Sequence, residues 1–168
     1  PYEWTLNSPG SFPEAIAVGA TDREDYVTSF SSRGPSPFDE VKPEFCAPGL
    51  DVISSVPGGY AIHSGTSMAA PHTAGAAALL TALHPDWSSN AILSALMMTA
   101  DQGVLREDAV TLGDWFDQGA GRIDLNLAAK VGLVLDESYE NFVAANPAEG
   151  GDVKTLNTSS LTDSQCLQ

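Results

Sequence analysis

A mixed fold of short strands and helices is what this 168-residue sequence predicts, and three observations predict it. Two short runs, Ala15 to Thr21 and Asp51 to Val56, contain β-branched residues and stop at turn formers, as strands do, and the first, apolar and partly β-branched, reads as buried. A long run of small apolar residues, Met68 to Leu83, has the length of a helix and not of a strand. A third segment, Asn90 to Ala100, carries Ile92, Leu93, Leu96 and Met97 on one helical face, behind Ser88 as its N-cap.

The remaining elements follow in order. The run Ala15 to Thr21 closes on Gly19 and Asp22. Tyr26 to Ser32 is a further candidate strand, ended by Arg33-Gly34-Pro35. Ser36 to Lys42 reads as a loop containing proline and acids. Pro57-Gly58-Gly59 stops the strand Asp51 to Val56, and Tyr60 to Ser64 leads the chain to Gly65. Pro71 falls in the first turn of the long helix, where a missing N–H costs little. Gly75 inside that helix costs about 1 kcal/mol relative to Ala and suggests a close approach by another element. Asp124 to Val131 gives a last short helix. After Asp136 the composition turns polar and lacks a sustained period, with Gly150-Gly151 as punctuation. The expected division is a folded part over residues 1–135 and a polar linker over 136–168, leading toward a following domain. No internal repeat is present.

Composition narrows the partners. The length allows one buried core. The net charge of −15 argues against nucleic acid and anionic membranes. No apolar run is long enough to span a bilayer. Of the two cysteines, Cys46 lies in an apolar, proline-flanked stretch and reads as a buried free thiol. Cys166 lies in the polar tail, and spacing alone does not decide whether they pair. The acidic clusters Asp22-Arg23-Glu24-Asp25 and Asp39-Glu40 read as solvated loops in preference to calcium ligands. Asn157-Thr158-Ser159 fits a glycosylation triplet, a short and frequent pattern.

The chemistry-bearing stretch is residues 65 to 72, Gly-Thr-Ser-Met-Ala-Ala-Pro-His. Ser67 would stand at a helix N-terminus, where unpaired N–H groups and the positive end of the dipole meet. That place suits stabilisation of an oxyanion. An isolated Gly-x-Ser there is more often a plain N-cap.

The surroundings change that balance. Residues 65 to 80, Gly-Thr-Ser-Met-Ala-Ala-Pro-His-Thr-Ala-Gly-Ala-Ala-Ala-Leu-Leu, resemble the nucleophile motif of the subtilisin-like serine proteases. Further blocks of that family stand in the right order. They are Ser8-Pro9-Gly10-Ser11-Phe12-Pro13, Ala15-Ile16-Ala17-Val18-Gly19-Ala20, Phe30-Ser31-Ser32-Arg33-Gly34-Pro35 and Lys42-Pro43-Glu44-Phe45-Cys46-Ala47-Pro48-Gly49. His84-Pro85-Asp86-Trp87 and Gly119-Ala120-Gly121-Arg122-Ile123-Asp124 complete the pattern, which covers residues 4 to 130.

The resemblance implies an α/β fold, a mainly parallel sheet with helices on both faces, incomplete in this chain. It implies a secreted, extracellular serine endopeptidase that acts on polypeptide substrates through an acyl-enzyme at Ser67. Gly65 and Thr66 shape the backbone at the nucleophile, Met68 lines the site, and Ser8, Pro9 and Gly10 form a wall of the substrate pocket. No cofactor is required for the chemistry. Family members often bind structural calcium, but no place for it is assigned here. The triad Asp and His and the oxyanion Asn would lie upstream of Pro1, so the upstream half of the catalytic domain is an implied partner. The isolated chain is then expected to be inactive.

Local histidines offer weak substitutes for the missing base. His72 follows Ser67 by five residues, about 140° around a helix, and His84 lies about 26 Å along it. His63 is nearer, in the approach segment, at a position with no catalytic role in the family. An α/β-hydrolase reading of Gly65 to Ala69 fails on order, because that class needs a late His and none follows His84. A non-catalytic remnant or binding module on the same fold stays open. Strand Ala15 to Thr21 and helix Met68 to Leu83 are apolar almost all round. One face of that strand and part of that helix are therefore expected to be exposed in the chain alone.

Overall fold

The structure, a computed structural model, describes residues 3–137 and 139–152. Its centre is a parallel pair, β1 (Val18–Thr21) and β2 (Phe45–Pro48), with Val18 opposite Phe45 and Thr21 opposite Pro48. β2 was not among the expected strands. A parallel pair needs a long crossover, and residues 22–44 supply one without a helix.

That crossover corrects two expectations. Tyr26 to Ser32 is not a strand; it makes only single bridges, Val27 to Thr21 and Tyr26 to Leu105. Nor is one face of β1 left exposed, since Val18 is half-buried and Gly19, Ala20 and Thr21 are buried. The Thr28 N–H donates to the Ala20 carbonyl (3.0 Å) and the Ala20 N–H donates to Ser31 Oγ (3.0 Å), so the crossover covers that edge. β1 is also shorter than Ala15 to Thr21. The Ala17 N–H donates to the Glu44 carboxylate (2.6 Å), which takes it out of strand pairing.

β3 (Val52–Val56) and β4 (Gly59–His63) form an antiparallel hairpin, register Val52 to His63. Pro57-Gly58 makes its turn, with Gly58 at φ 87°, the left-handed geometry that glycine adopts without steric cost. α1 (Thr66–Leu83) packs on β1, β2 and α2 (Ser89–Met98), and α2 packs on α4 (Leu125–Ala128). Between them lies α3 (Trp115–Gln118), a single turn. The α1 stripe facing the core is Ala69, Thr73, Ala76 and Leu80, small side chains that let the helix lie close to the sheet. Phe45, Ile92, Ala95, Leu96 and Ile123 fill the rest of the core. Ser88 caps α2 as expected, accepting from the Ala91 N–H (3.0 Å). The chain thus has the incomplete α/β fold that the sequence implied.

Two details of α1 differ from expectation. The helix begins at Thr66, so Pro71 falls in its second turn and removes the N–H that would bond the Ser67 carbonyl. Gly75 faces open space, with nothing within 4 Å of where its Cβ would be, so among the described residues no element approaches there. Beyond residue 136, where no helix was expected, α5 (Tyr139–Ala144) is followed by a 3-10 turn, Pro147–Glu149. The segment leading to α5 is tied to α2: Ser88 Oγ donates to Asp136 (2.6 Å) and the Leu135 N–H donates to Ser94 Oγ (2.8 Å). Cys166 and the Asn157 triplet lie outside the described residues.

The expected exposure of α1 is present. Leu79 is 60% exposed and Leu83 55%, while Ile53, Tyr60 and Ile62 of the hairpin are also exposed. Apolar surface of this kind favours association. The 168-residue chain expressed alone is therefore expected to self-associate and to unfold over a broad range. A sharp two-state thermal transition from a monomer would count against this reading.

Candidate active site

The segment that delivers Ser67 is pinned from both strand systems. β4 ends at His63, and the Asp51 N–H donates to Ser64 Oγ (2.9 Å), whose hydroxyl donates to the Asp51 carboxylate (3.1 Å). The Gly65 N–H donates to the Gly49 carbonyl (2.8 Å), and the Gly49 N–H donates to the Thr21 carbonyl (2.8 Å). Gly65 is the N-cap of α1, at φ 156° and ψ 162°. Its carbonyl accepts the N–H groups of Met68 (2.9 Å) and Ala69 (3.4 Å), which starts the helix.

Ser67 is therefore the second residue of an 18-residue helix, and it is exposed. N–H groups at this position have no intrahelical acceptor and sit at the positive end of the dipole. Thr66 precedes it as the first helical residue. Met68 follows, half-buried, with its thioether over the turn: a Cβ on Gly65 would sit 3.8 Å from Met68 Sδ. Among the described residues, none bonds to the Ser67 hydroxyl.

The histidines go elsewhere. His72 Nδ1 donates to the Met68 carbonyl (2.8 Å), one turn back on its own helix. His84 stacks on Trp87 with centroids 3.9 Å apart. His63 is exposed at the end of β4, opposite Val52. Ser8, Pro9 and Gly10 lie in a turn closed by the Ser11 N–H to the Asn7 carbonyl (3.2 Å) and the Phe12 N–H to the Pro9 carbonyl (3.1 Å). The acidic clusters serve local structure. Asp22 accepts the N–H groups of Glu24 and Tyr26, Asp25 pairs with Arg122, and Asp39 sits in the 36–40 turn.

Charge inside the fold is paired. Arg33 is buried and bonds both Asp117 and Glu107, while Arg106 bonds Asp117 and Asp114. Sequence reading missed Asp114 and Asp117, although their three-residue spacing is the signature of the capping box that they form on α3. A polar depression over this network, floored by Arg33, Arg106 and Asp117, contains no residue of the Ser67 segment. Lys42 and Glu44 form a second buried pair. Burial pushes the Glu44 carboxyl up, against the pull of Lys42. Cys46 is buried and free, and burial pushes its thiol up to about 12. It is a packing residue and no nucleophile at neutral pH.

The sequence model of the peptidase S8 group, described as the subtilase family, matches residues 1–121. This chain belongs to the subtilase family. It is 39% identical to the subtilisin-like protease SBT4.3 of Arabidopsis thaliana over 166 residues, covering 88% of this chain and 22% of that protein. Against the subtilisin-like protease SBT3 of Solanum lycopersicum it is 38% identical over 140 residues, covering 70% of this chain and 18% of the relative. The subtilase chain thus spans about a fifth of the length of these two relatives. The solved structure of the prenylagaramide maturation protease PagA superposes with a TM-score of 0.65 at 28% identity, over 77% of this chain and 46% of that one. Among the described residues, no helix of this subtilase chain is long and apolar enough to cross a membrane.

Proposed function

We propose that this subtilase chain carries the nucleophile of a secreted serine endopeptidase, with Ser67 forming the acyl-enzyme. One observation carries the reading: Ser67 is exposed on the open first turn of α1, two residues after Gly65, whose N–H is bonded to the carbonyl of Gly49 just past β2. The substrate is a polypeptide. A serine hydroxyl is a weak nucleophile and needs a base oriented by a carboxylate. Both come from sequence outside this chain, together with an oxyanion Asn.

The Ser67 oxygen attacks the scissile carbonyl carbon and its proton passes to the imidazole. The carbonyl oxygen becomes an oxyanion and takes the Ser67 N–H as one donor. Collapse breaks the C–N bond, and the leaving amine takes the proton back from the imidazole. Water then repeats the sequence on the ester and releases the acid. Hydroxyl, imidazole and N–H donors suffice for these steps, so the chemistry requires no metal or cofactor. Ser8, Pro9 and Gly10 form one wall of the substrate pocket, and Gly65 and Thr66 hold the turn.

Labelling the full-length protein with a fluorophosphonate, then mapping the modified peptide, tests the reading. The label is expected on Ser67. Absence of label would favour a non-catalytic remnant of the fold.

Met68 supplies a second test. Its thioether borders the nucleophile turn, and a sulfoxide adds a polar oxygen where the oxyanion must fit. Mild peroxide is expected to slow the full-length enzyme without unfolding it and to spare Met68→Ala. Equal losses in both proteins would point to the exposed Met98 instead.

A further inference from the structure

We propose that Gly49 is a positioning residue for the nucleophile turn, a role that rests on the reading of Ser67 as nucleophile. Three hydrogen bonds run in series from the sheet to the helix start. The Thr21 carbonyl accepts from Gly49, the Gly49 carbonyl from Gly65, and the Gly65 carbonyl from Met68, at 2.8, 2.8 and 2.9 Å. Ser67 lies inside the last of these rings. A Cβ on Gly49 would stand 2.6 Å from Ala20 Cβ and 2.8 Å from the Gly65 carbonyl oxygen. Its backbone is not in the left-handed region, so space and not conformation demands glycine.

Neither neighbour has a rotamer to change. Ala20 is fully buried on β1, and the Gly65 oxygen is held by the Met68 N–H. Any side chain at 49 must therefore move backbone, either β1 or the Gly65 peptide. Moving the Gly65 peptide carries the Met68 N–H with it and re-aims Ser67. Gly49 thereby sets the position of Ser67 relative to the sheet without touching substrate. Misplacing a reacting group by about 1 Å can cost about 100-fold in rate.

The experiment uses the full-length protein, reading kcat, KM and thermal midpoint on a peptide substrate. Gly49→Ala is expected to lower kcat about 10- to 100-fold, leave KM within about twofold, and lower the midpoint. Ala20→Gly/Gly49→Ala removes the methyl contact but keeps the clash with the Gly65 oxygen. It is expected to regain thermal stability and stay slow. Gly132→Ala, exposed, remote in sequence from the nucleophile segment and with nothing within 4 Å of its added methyl, is the control and should keep wild-type kcat. Wild-type kcat in Gly49→Ala overturns the proposal. So does joint recovery of kcat and midpoint in the double variant, or failure of both Gly49 variants to fold, since either assigns Gly49 to stability alone. Turnover retained by Ser67→Ala in the same assay would instead sink the nucleophile reading.

Discussion

Ser67→Ala in the full-length protein is expected to cut turnover by about 10⁶, a magnitude carried over from subtilisin itself, where removal of the nucleophile has that effect. In barrier terms this is about 8 kcal/mol. The size follows from what is lost. Without the hydroxyl no acyl-enzyme forms, and the remaining residues act as a unit around an absent atom, so their contributions do not add. The helix should survive, because Ser67 is exposed and Gly65, not Ser67, is the N-cap. Binding should therefore persist while kcat collapses. Measuring kcat and substrate affinity separately on the purified variant checks this. Residual turnover above about 1% of wild type would mean that another group performs the attack. The chain of residues 1–168 alone should show no turnover, since its histidines are engaged elsewhere or placed without a bond to Ser67.

Asp117→Ala is expected to be the most damaging single change to stability, at about 3–5 kcal/mol, because it leaves a buried guanidinium short of its partner. The side chains of Arg33 and Asp117 are only 7% and 5% exposed. Asp117 also accepts from Arg106 (2.5 Å) and from the Asp114 N–H (3.0 Å), so the capping box of α3 fails with it. Glu107→Ala removes the outer, more exposed partner of Arg33 and should cost less than about 1 kcal/mol. Chemical denaturation of both variants gives the comparison, and equal losses would remove Asp117 from its central place.

The pH dependence has a definite sign. Burial alone would raise the Asp117 carboxyl, but the hydrogen bonds from Arg106 and the Asp114 N–H and the charge of Arg33 hold it below 3.8. A carboxyl held low contributes stability that is present above its unfolded value and lost as pH falls through its folded one. Acid should therefore weaken the wild type below pH 3.8, and Asp117→Asn should flatten that limb.

The sequence by itself determined the elements whose signals are local. α1 and α2 were legible because a long apolar run and a capped, one-sided pattern need no partner to be recognised. The Ser88 cap, the burial of Cys46 and the family motif around Ser67 are equally local, and each is found where it was read. Tertiary structure decided what depends on distant groups. Tyr26 to Ser32 has strand composition, yet Val27 donates to Leu105 and Ser31 serves Ala20, so it covers β1 as a loop. Phe45 to Pro48 lies in an apolar, proline-flanked stretch with no strand signal of its own, yet it pairs with β1 as β2. The Asp117 network joins residues 33, 106, 107, 114 and 117, whose pairing no periodicity records. Gly49 is the sharpest case. It carries no side chain and no unusual φ, and it needs to be glycine only because Ala20 and the Gly65 carbonyl, 29 and 16 residues away in sequence, occupy the space that a methyl would take. Local signals specify which elements form; only their packing specifies which atoms are left no room.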